Sequence, residues 1–163
     1  MTARGLATLV TVLSVAGPAS VAAQAAQQAL QAEGRLDALV SEHTAVQAGL
    51  GLSVPLGLYL RAGLVLGAGV GRYGLDARSD LIARFSFDPL RQSRWAPYGG
   101  GGVSGRFNST ADGGAKAYLL VFAGIEGPLP EGKGAGWVPG FEVGLGGGAR
   151  IGVVLRRGIH ARR

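Results

Sequence analysis

Between Gly57 and Gly71 every even position from Leu58 to Val70 is apolar: Leu58, Leu60, Ala62, Leu64, Leu66, Ala68 and Val70. The odd positions, Gly57, Tyr59, Arg61, Gly63, Val65, Gly67, Gly69 and Gly71, are small or polar with the exception of Val65. A period of two puts successive side chains on opposite faces of a strand. Strands in soluble sheets run for about 5–6 residues, whereas a tilted strand that crosses a bilayer needs about 9–11. This stretch is long enough to span.

The same alternation recurs along the chain. His43 to Val54 puts Val46, Ala48, Leu50, Leu52 and Val54 opposite Gln47, Gly49, Gly51 and Ser53. After a loop expected over 72–79, Leu81, Ala83, Phe85 and Phe87 oppose Ile82, Arg84 and Ser86. Trp95 to Phe107 sets Trp95, Pro97, Val103 and Phe107 against Tyr98, Ser104 and Arg106. Ala117 to Glu126 sets Leu119, Val121, Ala123 and Ile125 against Tyr118, Phe122, Gly124 and Glu126. From Trp137 to Arg157 the apolar set is Phe141, Val143, Leu145, Ile151, Val153 and Leu155, and the polar set Glu142, Arg150 and Arg156. The run Gly146-Gly147-Gly148 is positioned to fold this last segment into a hairpin. Six segments are read directly, and a seventh follows if that hairpin forms.

With 30 glycines, 47% hydrophobic residues and only 16% charged, the chain is a poor candidate for a helix-rich soluble domain. The absence of cysteine excludes disulfide staples, thiolate metal sites and a lipidated cysteine. The net charge of +6 raises the question of a nucleic-acid partner. The basic residues are scattered, apart from Arg156, Arg157, Arg162 and Arg163, and no Lys/Arg block interleaves with aromatics, so no nucleic-acid partner is expected.

Residues 1–23 have the layout of a secretory signal peptide. Arg4 precedes an apolar run from Leu6 to Ala16, Pro18 breaks it, and Val21-Ala22-Ala23 ends on small residues. Residues 24–35, rich in Ala and Gln, are expected as a linker with room for a short helix. The folded domain is expected over 36–157, with a basic tail at 158–163.

In a lipid-binding soluble barrel the apolar face points inward. Here one continuous apolar face is shared by all segments, while Arg61, Arg84, Arg106, Glu126, Glu142 and Arg150 fall on the other. That is the inside-out pattern of a barrel in lipid. Lipid cannot hydrogen-bond a free backbone edge, so such a sheet must close. The expected fold is all-β, a closed antiparallel up-and-down barrel of six to eight strands with an apolar exterior and a polar, glycine-rich interior. Leu58, Leu60, Leu64, Leu66, Phe85, Val121, Val143 and Val153 are expected to face lipid. The six charged residues are expected to pair inside a narrow lumen, because isolated buried charges are costly. Two other readings stay open: a secreted or periplasmic β-barrel or sandwich that binds a ligand, and a lipid-acting barrel enzyme.

These strands, the signal peptide, and the segments Trp95-Ala-Pro-Tyr-Gly-Gly-Gly-Gly-Val and Trp137-Val-Pro-Gly-Phe-Glu-Val-Gly resemble the small bacterial outer-membrane barrels of the OmpA/OmpX type. The resemblance implies eight strands, a place in the outer membrane, insertion by the barrel assembly machinery, and a structural or surface-contact role without catalysis. In that family the last strand ends on an aromatic. Here Arg150-Ile-Gly152-Val-Val-Leu155-Arg-Arg157 matches until the final place, where Arg157 stands instead.

Motifs for catalysis or cofactors are weak. Gly69-Val-Gly71-Arg-Tyr-Gly74 has dinucleotide spacing, but the pyrophosphate needs a following helix, and alternation resumes instead. His43 and His160 are the only histidines and lack metal-ligand spacing. Ser41, Ser53 or Ser104 with His43 is the arrangement an esterase reading would need. No cofactor is expected, and any small-molecule ligand is left undefined.

Overall fold

The computed structural model describes residues 30–41, 44–72, 74–90, 92–109, 114–128 and 136–159. The segment expected as a signal peptide, residues 24–29 of the expected linker, His43, and residues 160–163 of the expected basic tail with His160 lie outside the described residues. Among the described residues there are eight strands and no helix: β1 (Leu30–Val40), β2 (Ala45–Pro55), β3 (Leu60–Gly71), β4 (Gly74–Ser86), β5 (Ala96–Asn108), β6 (Ala115–Glu126), β7 (Val138–Leu145) and β8 (Ala149–Ile159). Each pairs antiparallel with its neighbour in sequence, and β1 pairs with β8, which closes the barrel.

Closure decides which face each residue takes. In β3 the even residues Leu60, Leu64, Leu66 and Val70 are exposed, while Gly63, Val65 and Gly67 are buried. Phe85, Val121, Val143 and Val153 also point outward. The 12 residues of β3, at about 3.3 Å each and a tilt of about 40°, rise about 30 Å along the axis. Along the eight strands, Arg157 is the one outward-facing charged side chain among the described residues.

Four placements differ from the sequence reading. Residues 30–35 are not linker: they form the first half of β1, which pairs from Leu30 with Ile159 to Val40 with Ala149 along β8. The outward residues Ala32, Gly34 and Ala38 are too small to announce an apolar stripe, although Gln31, Glu33, Arg35 and Asp37 alternate with them. The stretch 72–79 is loop only at its start, since β4 begins at Gly74 and carries Asp76, Arg78 and Asp80 inward. Leu58 sits in the turn 56–59 rather than on the strand face, although it is exposed. At the other end β8 continues through Gly158 to Ile159, and Arg157 lies opposite Ala32 without interrupting the ladder.

Glycine shapes the hairpins. Gly147 has φ +70 in the β7–β8 turn, where an L side chain would be strained and its Cβ would meet the Tyr118 ring at 2.7 Å. At Gly69, a Cβ would lie 1.9 Å from the Val46 carbonyl oxygen, so only glycine admits the observed approach of β2 to β3. The dinucleotide-like glycines therefore serve a hairpin that leads into a strand.

The two ends differ. Connections 41–44, 72–73, 109–114 and 146–148 close one end, whereas 56–59 and the longer 87–95 and 127–137 lie at the end that carries the termini. The exposed aromatics Tyr59, Phe85, Phe87, Trp95 and Trp137 gather at this second end, with Tyr59 stacked on Phe85 at 5.6 Å between centroids.

Candidate functional site: the charged lumen

The period of two sends the polar residues of the strands to the inner face of the closed sheet, where burial makes an unpaired charge costly. Arg35 lies at the centre. Its Nε and Nη2 donate to the two carboxylate oxygens of Asp37 at 2.7 and 2.8 Å, Nη2 also to Glu142 Oε1 at 2.7 Å, and Nη1 to Glu33 Oε1 at 3.3 Å. Glu33, Arg35 and Asp37 share one face of β1, and Glu142 reaches the same point from β7. Glu142 in turn accepts from Arg150 at 3.1 Å, Arg156 at 3.3 Å and the Tyr98 hydroxyl at 3.2 Å.

Two further clusters extend the network. Arg156, 1% exposed, donates to Glu33 at 3.0 Å, Glu126 at 3.1 Å and the Tyr98 oxygen at 3.1 Å, with its guanidinium 4.6 Å from the Tyr98 ring centre. Arg150 bonds Asp80 at 2.7 Å, which also accepts from Ser104 at 2.6 Å, while Arg78 contacts Asp37 and Asp80. Toward the short-turn end, Arg106 holds Asp76 with two donors at 2.8 and 3.0 Å, and Gln47 donates to Asp76 as well.

An apolar plug lies beside these charges. Val65, Ile82, Tyr98, Leu120 and Phe122 form a buried cluster inside the barrel, with the Tyr98 and Phe122 rings edge to face at 6.4 Å. Cavities of about 170 and 190 Å³ remain. The first is lined by Ser41, Arg106 and Lys116 near the short turns, the second by Arg61, Arg84 and Glu126 at the termini end. Buried residues of the network and plug lie between them.

The six sequence-selected charges divide as follows. Arg84, Arg106, Glu142 and Arg150 are buried, and Arg61 and Glu126 are half-buried at the termini mouth. Glu142 meets Arg150, and Glu126 meets Arg156. The residues missed are Glu33, Arg35, Asp37, Asp76, Arg78 and Asp80, all on strand segments read as linker or loop or beside them, and Arg156, which was placed on the polar face but not in the network. Their own alternation, Gln31-x-Glu33-x-Arg35-x-Asp37 and Asp76-x-Arg78-x-Asp80, is the signal that would have found them. Ser104 is absorbed into the Asp80 contact and Ser53 accepts from Arg61 at 3.3 Å. Among the described residues no cluster of His, Asp and Glu is arranged to hold a metal ion.

No family model matches the chain, and no curated protein matches it in sequence. Solved structures share the fold, among them the following two. The N-terminal β-barrel domain of Pseudomonas aeruginosa OprF aligns with a TM-score of 0.58 at 16% identity, over 80% of this chain and 98% of that one. Neisserial surface protein A (NspA) aligns with a TM-score of 0.54 at 12% identity, over 80% of this chain and 96% of that one. At such identities the likeness is one of architecture.

Proposed function

We propose that this chain is an outer-membrane β-barrel with a structural or surface-contact role, non-enzymatic, and closed to ions by its lumen network. The observation that carries this reading is the contrast between the faces: exposed Leu, Val, Ile and Phe ring the whole exterior, while the lumen holds the charges. Soluble monomers rarely expose more than a few hundred Å² of contiguous apolar surface, which weighs against the periplasmic binding module. The rise of about 30 Å for β3 suits a bilayer core. Arg157 lies near the termini end, where a charge near the interface costs about 0–1 kcal/mol rather than the midplane cost of about 2–4 kcal/mol.

The N-terminal signal layout supports export, and a chain of this kind requires the barrel assembly machinery as a partner and outer-membrane lipid as its solvent. The fold likeness to the OprF barrel and NspA supports the same destination. The test is to express the full chain in a Gram-negative host, fractionate the envelope, and record conductance of the purified protein in planar bilayers. Recovery in the outer-membrane fraction, with slower migration after boiling and no discrete conductance steps, is the expected result. Recovery as a detergent-independent periplasmic protein would overturn the membrane reading, and steady channel openings would overturn the closed lumen.

A further inference from the structure

The geometry points to a binding site for a small oxyanion, a phosphate or carboxylate group, at the lumen mouth on the termini end, held by Arg84 and Arg61. It stands apart from the membrane reading, since this mouth meets water in either case.

Arg61 and Arg84 are direct cross-strand partners on the inward face of β3 and β4. Like charges in that relation oppose pairing unless something anionic offsets them. Arg84 is 5% exposed, and its carboxylate contact is to Glu33 at 3.5 Å, supplemented by the Gln31 amide oxygen and the Tyr98 ring at 5.6 Å. The other buried lumen arginines are better served: Arg35 and Arg150 each reach a carboxylate at 2.7 Å, Arg106 at 2.8 Å and Arg156 at 3.0 Å, and Arg78 contacts Asp37 directly. Among the buried arginines of the described residues, Arg84 thus has the longest carboxylate contact.

It lines a cavity of about 190 Å³, room for about six water molecules at ~30 Å³ each. Two acids share that lining, and both are engaged. Glu126 accepts from Arg156 at 3.1 Å, and Asp88 accepts the backbone N–H groups of Gln92 and Ser93 at 3.0 and 2.8 Å. Ser86 and Tyr59 also line the cavity. A planar guanidinium presents a fork of donors that matches two oxygens of a phosphate or carboxylate, and in a partly desolvated site such bonds are stronger than in water.

The test uses the full chain refolded in uncharged detergent, titrated calorimetrically with inorganic phosphate and with acetate at constant ionic strength, chloride serving as the matched control. Saturable binding of either anion is expected. Arg61→Gln, at the half-buried rim, should weaken it by about tenfold or more, as should Arg84→Lys, which keeps charge and loses the fork. Arg106→Lys at the opposite mouth should leave it unchanged. A further arm uses micelles doped with phosphatidic acid: heats there alone assign the site to a lipid headgroup, and heats with free phosphate to a soluble anion. No saturation beyond chloride in any arm, or equal affinity in the wild type and in Arg61→Gln, would overturn the proposal, whether or not the Arg84 variant folds.

Discussion

Arg35 and Glu142 stand 107 positions apart in the chain, yet the Arg35 Nη2 donates to Glu142 Oε1 at 2.7 Å in a space where both side chains are almost wholly buried. Glu142 also faces Arg150 and Arg156, so its loss takes one carboxylate partner from three buried guanidinium groups at once and leaves the network short of one negative charge. We predict that Glu142→Ala destabilises the barrel by about 3–5 kcal/mol, the cost of leaving a buried charge uncompensated. In a cycle with Arg150→Ala the double variant should lose less than the sum of the singles. Unfolding by urea in micelles, followed through Trp95 and Trp137 fluorescence, measures both. Additive losses would mean that the pair is not coupled.

Leu64→Arg places a cation near the middle of the β3 exterior and should cost about 2–4 kcal/mol in lipid. Leu58→Arg falls in the turn 56–59 and should cost about 0–1 kcal/mol, as for a position near the interface. Folding titrations into lipid vesicles compare the two. Equal tolerance at both positions would argue against a lipid-facing β3.

A chain that begins at Leu36 lacks half of β1 and with it the pairs from Leu30–Ile159 to Arg35–Val154. It also loses Glu33 and Arg35, the partners of Arg156 and Asp37. Such a chain should not close, whereas one that begins at residue 24 should. Circular dichroism and the mobility of unboiled samples on gels distinguish them, and a compact, heat-modifiable band from the shorter chain would contradict the closure by β1.

How much of this was legible depends on the size of the outward side chains. In β3 the leucines alternate with glycines, so the strand, its faces and the inside-out fold follow from periodicity alone. In β1 three of the outward neighbours of Glu33, Arg35 and Asp37 are Ala32, Gly34 and Ala38, too weakly apolar to contrast with the Ala-rich residues before them, and Leu36 stands alone among them. Asp76, Arg78 and Asp80 were obscured in the same way by Ala77 and Ser79 and by the adjoining turn. The charged half of the network on β1 and β4 therefore shows in the sequence only as polar alternation, and closure of the sheet is what gives each acid its cation. Arg157 is the converse: it departs from the aromatic expected at the end of β8, yet the backbone ladder with β1 continues past it.

The most direct measurement of the account is lipid accessibility along β3. The chain has no cysteine, so single cysteines placed one at a time from Leu60 to Gly71 report without background. Each carries a fluorophore in vesicles that contain brominated lipid. Quenching should alternate with a period of two, strong at 60, 62, 64, 66, 68 and 70 and weak at the odd positions. Flat quenching along the strand, or strong quenching at 63, 65 and 67 instead, would contradict an apolar exterior in lipid around a charged lumen.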